Sequence, residues 1–238
     1  MEEDLLFKKT TELYNAGKFG EVIELVRGAY PDLTKASSGN LEKLAWSHYR
    51  RNEFGLARSV AIMGISLGYE DLKSIQVQID TYVNKDIKVA QDVLSEDESD
   101  PRICNAFIVA ARNEENPKQY VTQALKYVQK FKNSDNISAI NMQNNMGHLY
   151  SAIDDPEAAL DCWNRAYKRY GNGNFHHRAA LQYWVYNAYM KLGDKDSATL
   201  AAELSYSLWQ QAAEADPSNE AFKKKMANAK SIYENLAT

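Results

Sequence analysis

Between Asn145 and Ala166 the chain sets small side chains against large ones in a pattern that few folds accept. Gly147 has no side chain, and Ala159 and Ala166 have small ones, so two backbones can approach each other. Tyr150 and Trp163 are large and fill the surrounding space. Asp155 is a good helix N-cap. Pro156 suits a first helical position, where its missing N–H would have had no partner. The segment reads as two short helices packed together. Breakers are scarce elsewhere, with 11 Gly and 5 Pro in 238 residues. Pro31, Pro101, Pro117, Pro156 and Pro217 each fall between segments of apolar periodicity, where helices begin or end. Gly171-Asn172-Gly173-Asn174 lacks flanking strand alternation, so the chain is expected to be all-α.

The same pattern recurs along the chain. Leu6, Phe7, Leu13 and Tyr14 precede a break at Ala16-Gly17-Lys18, and Phe19, Val22, Ile23, Val26 and Ala29 follow at helical spacing. Leu41, Leu44, Ala45, His48 and Tyr49 precede a break at Arg51-Asn52-Glu53, after which Phe54-Gly55-Leu56-Ala57 reopens a helix. Lys18-Phe19-Gly20 and Glu53-Phe54-Gly55 lie 35 residues apart. A third pair runs through Leu72, Ile75, Ile79 and Val83, then Ile87, Ala90 and Val93. The acidic stretch 95–100 ends it and is expected to be a solvated loop. The fourth pair opens at Pro101, and Asn116-Pro117 starts its second helix, which carries Tyr120, Ala124, Tyr127 and Phe131. The sixth has Leu181, Trp184, Val185, Ala188 and Tyr189 before Lys191-Leu192-Gly193-Asp194 and Ala198. A long helix from Ser197 to Ala215 and a final polar helix close the chain.

Asn145-Met146-Gly147-His148-Leu149-Tyr150, Asp155-Pro156, Ala159 and Ala166 together resemble one tetratricopeptide repeat, and the 35-residue interval is close to the ~34 of that class. The resemblance is strongest over 137–200 and weakest over 70–133, where Tyr120 stands at the position Ala159 holds in the fifth pair. It implies a single domain over 1–238, a right-handed α-solenoid of about six antiparallel helix pairs with a capping helix over 218–236. It also implies a non-catalytic module that holds a peptide or helix of a partner protein in its concave groove. The alternative is a structural or oligomeric subunit that uses its convex or terminal surfaces, with homo-oligomers as one form.

Helical phase selects the groove residues. If Met146, Gly147 and Tyr150 pack inward, Asn141, Asn144, Asn145 and His148 face the concave wall, and the resemblance supports this for Asn145. The same phase gives Tyr183, Trp184, Asn187 and Lys191 in the sixth pair, Asn105, Arg112 and Asn113 in the fourth, and Lys43, Trp46 and Arg50 in the second. Lys8, Thr11 and Asn15 come from the first. Asn144 and Asn145 are expected to be exposed, and an amide side chain can both donate to and accept from a peptide backbone. Trp46 and Trp184 fit the core as well as the wall. The carboxylate-clamping subset of the family needs lysines and asparagines in consecutive repeats, and Lys8 and Asn105 do not complete that set.

Composition excludes several other classes. The net charge of −4 gives no basic face for a phosphate backbone, so no nucleic acid is expected. The apolar runs at 60–65 and 106–111 are too short to span a membrane, and the acidic start does not open like a signal peptide. Cys104 and Cys162 lie in apolar helical patterns with no CxxC or Cys/His spacing, which points to buried thiols in a reducing, cytoplasmic setting. No metal, cofactor or catalytic constellation is identifiable. His176-His177, after the glycine-rich turn, is expected to be exposed or capping.

Overall fold

The structure is a computed structural model that describes residues 3–84, 87–96, 98–172 and 174–236. Asp97 of the acidic stretch, Gly173 of the glycine-rich turn, the first two residues of the acidic start and the Val83 side chain lie outside what is described. Among the described residues there are thirteen α-helices and no strand. They are α1 (Glu3–Asn15), α2 (Phe19–Ala29), α3 (Ser38–Arg50), α4 (Phe54–Ser66), α5 (Lys73–Asn84), α6 (Ile87–Glu96) and α7 (Pro101–Ala111). Then follow α8 (Val121–Lys130), α9 (Ile137–Ala152), α10 (Pro156–Arg169), α11 (Phe175–Leu192), α12 (Lys195–Ala215) and α13 (Glu220–Leu236). Each helix packs against its sequence neighbours, and first helices of successive pairs also meet, as α5 with α7 and α7 with α9.

The tight turns within pairs share one geometry. Gly17, Asn52, Asp154 and Gly193 have φ of 79°, 63°, 60° and 78°, and each stands two residues before the next helix begins. In each, the following amide donates to the carbonyl five residues back: Lys18 to Leu13 (2.9 Å), Glu53 to His48 (2.9 Å), Asp155 to Tyr150 (3.0 Å) and Asp194 to Tyr189 (3.0 Å). This is the Schellman way of satisfying the last carbonyls of a helix. A left-handed residue is required there, and Gly, Asn or Asp tolerates it best. Asp155 and Asp194 also cap the next helix, accepting from the amides of Ala158 and Ser197 at 3.0 Å.

The α7–α8 connection is built differently. Asn113 Nδ2 donates to the Val109 carbonyl at 2.8 Å, and a 3-10 turn over Pro117–Tyr120 precedes α8. Tyr120 therefore belongs to this turn rather than to the helix expected from the sequence. Its ring meets Phe107 edge-on at 5.9 Å, so the larger residue is accommodated by moving the start of the second helix.

The fifth pair packs as its sequence implies, with one refinement. Met146, Ala159 and Ala166 are fully buried, but the neighbour over Gly147 is the Trp163 indole, not a backbone. A Cβ at 147 would lie 2.6 Å from Trp163 Cδ1. The indole Nε1 donates to the Asn144 carbonyl at 3.1 Å, which holds the ring in place. Cys104 and Cys162 are buried free thiols, and burial pushes them up to about 12 and about 11.

The superhelix closes on itself. Phe19, at the start of α2, is fully buried, and besides its neighbour Tyr14 its ring partners come from the far end of the chain. Its ring meets His176 edge-on at 5.2 Å and Phe222 at 6.2 Å. Together with Ala179, Leu208, Trp209, Ala212 and Ala229 it forms one apolar cluster that joins the N-terminal pair to α11, α12 and α13. Gly17 and Gly20 allow the approach: a Cβ there would stand 3.2 Å from His176 Nδ1 and 3.1 Å from Ser218 Oγ. The final helix thus covers α12 and also receives the first pair.

His176 and His177 lie in this seam and are buried, which corrects the expectation that they are exposed or capping. The physical reason is the closure itself, which brings α1–α2 over the start of α11. His176 stacks on Phe222, and His177 stacks on Tyr170 at 5.1 Å. Neither His176 Nε2 nor either nitrogen of His177 has a hydrogen-bond partner. Burial holds both imidazoles well below their ordinary range, aided for each by the nearby charges of Arg50 and Lys225.

Candidate functional site

The concave wall is formed by α3, α5, α7, α9 and α11, and it carries a floor, a cavity and an open strip. The floor carries a hydrogen-bonded tie between α7 and α9. Asn145 is 9% exposed; its Nδ2 donates to Asn105 Oδ1 at 2.8 Å, and its Oδ1 accepts from Arg112 Nη1 at 2.9 Å. The expected exposure of Asn145 is therefore replaced by a role in tying α7 to α9. Asn144 is partly buried, its Oδ1 enclosed without a partner. Asn141 Oδ1 accepts from the Tyr170 hydroxyl at 2.7 Å. Asn187 spends its amide on its own helix, donating to the Tyr183 carbonyl at 2.7 Å.

The cavity, about 660 Å³, is lined by Tyr14, Lys43, Trp46, Arg50, Arg102, Asn105, Asn141 and the first residues of α9. It gathers Lys43, Arg50, Asn105 and Asn141 from the residues selected by helical phase. Sequence reasoning missed Arg102, which donates to Asp100 (3.0 Å), Asp71 (3.0 Å) and Glu42 (3.4 Å) and so locks α7 to α3. Those ion pairs join residues 31 and 60 positions apart, which no local spacing reveals.

The open strip runs from the ends of α7 and α9 across the middle of α11 toward α13. One hollow of about 400 Å³ is lined by Arg112, Asn113, His148, Ser151, Ala152 and Trp184. A second of about 300 Å³ is lined by Ala180, Tyr183, Trp184, Trp209, Lys225, Asn228 and Ala229. Trp184 forms the ridge between them and is 39% exposed, so it belongs to the wall rather than the core. His148 meets Trp184 edge-on at 4.9 Å and Trp163 at 5.4 Å, and Trp163 stacks with Trp184 at 6.3 Å. Burial among these rings, with Arg112 nearby, lowers the His148 imidazole to about 3, so it is neutral at physiological pH. The strip is therefore aromatic, with polar groups at its rim.

Among the described residues no group of three His, Cys, Asp or Glu is placed to hold a metal ion. No described helix is long and apolar enough to cross a membrane.

No protein-family model and no curated protein matches the sequence. Solved structures similar to it include the following two. One is the crystal structure of the APC/C hetero-tetramer Cut9–Hcn1, matched over 96% of this chain with 14% identity and a TM-score of 0.52. The present chain spans 46% of the chain it matches there. The other is the TPR2AB-domain–pHSP90 complex of yeast Sti1, matched over 96% of this chain and 98% of that one, with 14% identity and a TM-score of 0.39. With its stacked helix pairs and repeated turns, the chain has the fold of an all-α, tetratricopeptide-like helical solenoid.

Proposed function

We propose that the protein is a non-catalytic interaction module that holds a peptide or helix of a partner protein along the strip centred on Trp184. The observation that carries this reading is the exposed indole set between two hollows, with Tyr183 and His148 supporting it. Large, rigid aromatic groups near the middle of an interface dominate binding energy. Asn113, Ser151 and Asn228 at the rim offer donors and acceptors to a partner backbone. Groove recognition of this kind needs no reaction chemistry. One similar structure with a TM-score above 0.5 is itself an assembly of Cut9 with Hcn1.

This reading relocates the contact. Tyr183, His148 and Arg112 stay within the proposed surface. Asn145, through Arg112, and the Asn144 carbonyl, through Trp163, hold residues beside it, Asn105 and Asn141 line the separate cavity, and Asn187 is bonded within its own helix. The test is affinity capture from cell extract followed by calorimetry with the recovered partner. Trp184→Ala is expected to weaken binding tenfold or more, since ~1.4 kcal/mol corresponds to a factor of ten. Unchanged affinity would move the partner to another surface.

A second reading, a structural or oligomeric subunit, has one observation in its favour. Leu200 and Leu204 stand one turn apart on α12 and are 67% and 37% exposed, with Met190 and Leu192 exposed on α11. Light scattering after size exclusion decides it. A monomer at all concentrations tested leaves the Trp184 strip as the favoured interface.

A further inference from the structure

Arg50 ends α3, half-buried on the wall of the 660 Å³ cavity. Its guanidinium faces the phenols of Tyr14, Tyr49 and Tyr170 and lies 6.0 Å from the Trp46 ring centroid. Arginine keeps its charge throughout the physiological range, whereas these phenols are neutral there, so they supply dipoles but no counter-charge. Burial raises the Tyr170 phenol well above its usual range, which keeps it neutral. Arg50 Nε is enclosed and has no hydrogen-bond partner. Arg50 is half-buried with its Nε enclosed, and a charge held partly out of water without its opposite is costly.

The surroundings deepen the imbalance. Lys43 Nζ rests 5.4 Å from the centre of the Tyr14 ring and is 3.8 Å from its nearest carboxylate, Glu42. The two acids on the cavity wall, Glu42 and Asp100, are already engaged by Arg102. On the far side of Arg50 stand His176, His177 and Lys225, each of whose protonated forms the Arg50 charge disfavours. The first residues of α9, a helix of 16 residues, line the same cavity, and a helix N-terminus carries partial positive charge.

We infer that the interior cavity binds a small oxyanion, with Arg50 and Lys43 as its charged ligands and Asn141 and Tyr14 beside them. The planar fork of arginine matches phosphate and carboxylate oxygens in two parallel bonds. A volume of about 660 Å³ suits a small organic anion rather than a length of peptide, which separates this site from the Trp184 strip. The bound anion would neutralise Arg50 and bridge the N-terminal pairs to α9.

The test titrates the intact protein with inorganic phosphate, glycerol 3-phosphate and succinate by calorimetry, at fixed ionic strength so that general screening is constant. At least one is expected to bind with a dissociation constant of about 1 mM or below. Phosphate binding alone identifies a free oxyanion. Tighter glycerol 3-phosphate points to a phosphorylated metabolite, and preference for succinate to a dicarboxylate. Arg50→Gln is expected to weaken the preferred anion at least tenfold, and Arg50→Lys, which keeps the charge but loses the fork, by less. Arg165→Gln, on an exposed pair with Asp161, leaves binding unchanged. If Arg50→Gln does not fold, Lys43→Gln carries the test, with at least a threefold loss expected. The inference is overturned if none of the three anions binds, or if they bind the Arg50 and Lys43 variants as tightly as the parent.

Discussion

The floor of the concave wall and the seam that closes the superhelix bury polar groups in opposite ways. On the floor, Arg112, Asn145 and Asn105 form a hydrogen-bonded relay across α7 and α9. In the seam, both nitrogens of His177, one of His176 and the Nε of Arg50 are enclosed without partners. The floor is made by helices adjacent in the stack, so its geometry follows from the repeat. The seam is made by elements from opposite ends of the chain, and its apolar rings dominate its polar groups. Stability therefore comes from hydrogen bonding in one region and from aromatic packing in the other, and only the second carries uncompensated charge.

The strongest way to break this contrast is to remove the seam's apolar anchor. Phe19→Ala is expected to cost about 3–5 kcal/mol, the range for deleting a buried phenylalanine. It should also enlarge the radius of gyration in small-angle scattering as the first pair leaves α13. A variant with native melting temperature and dimensions would show that the seam does not hold the ends. The matching attack on the floor is Asn145→Ala. It removes the donor to Asn105 Oδ1 and the acceptor of Arg112 Nη1 and is expected to cost about 1–3 kcal/mol in urea unfolding, with unchanged dimensions. A negligible loss would mean that the relay is bridged by solvent.

Acid sharpens the comparison. His148, His176 and His177 have folded-state pKa values below the unfolded value of about 6.5, so the unfolded chain takes up protons first. Their contribution is fully present above pH ~6.5 and is lost as the pH falls toward the folded values, which for His148 is about 3. The expected slope is at most ~1.4 kcal/mol per pH unit for each imidazole. His176→Gln with His177→Gln should flatten most of it in urea titrations between pH 7 and pH 5. An unchanged slope would place the titration elsewhere. The smallest effect is expected from Asn187→Ala, whose amide bonds only within its own helix. A change within about 0.5 kcal/mol in thermal unfolding fits that role, and a loss as large as that of Asn145→Ala would contradict it.

Much of the fold is legible in the sequence because turns and caps are local. Gly17, Asn52 and Gly193 fall in breaks readable from the sequence, and Pro101 and the Asp155-Pro156 pair mark helix starts, whereas Asp100 reads as loop and is a cap. Gly147 and Trp163 are readable as a close contact, although the sequence does not say that an indole fills it. The site is less legible. Helical phase puts His148, Tyr183 and Arg112 on the wall, but it says nothing of which polar groups satisfy one another, so Asn145 reads as a free amide when it is an internal tie. Closure is invisible to any local pattern, because Phe19, His176 and Phe222 each fit an ordinary amphipathic helix. Arg50, the two histidines and Lys225 acquire their character only once those rings meet.

The meeting of Phe19 with Phe222 also changes how cooperative the molecule should be. An open stack behaves as a line of units coupled to nearest neighbours, and its two end units, each lacking a neighbour, fray first. Joining the ends gives the line the boundary condition of a loop. The first pair gains a second neighbour, and unfolding that starts there must sacrifice contacts at both sides. The seam contact also spans almost the whole chain, so its loop entropy must be met before it rewards the fold, which places it late in folding. Amide exchange in α2 should therefore track the exchange of α11 and α13 more closely than that of α6, although α6 is the nearer in sequence.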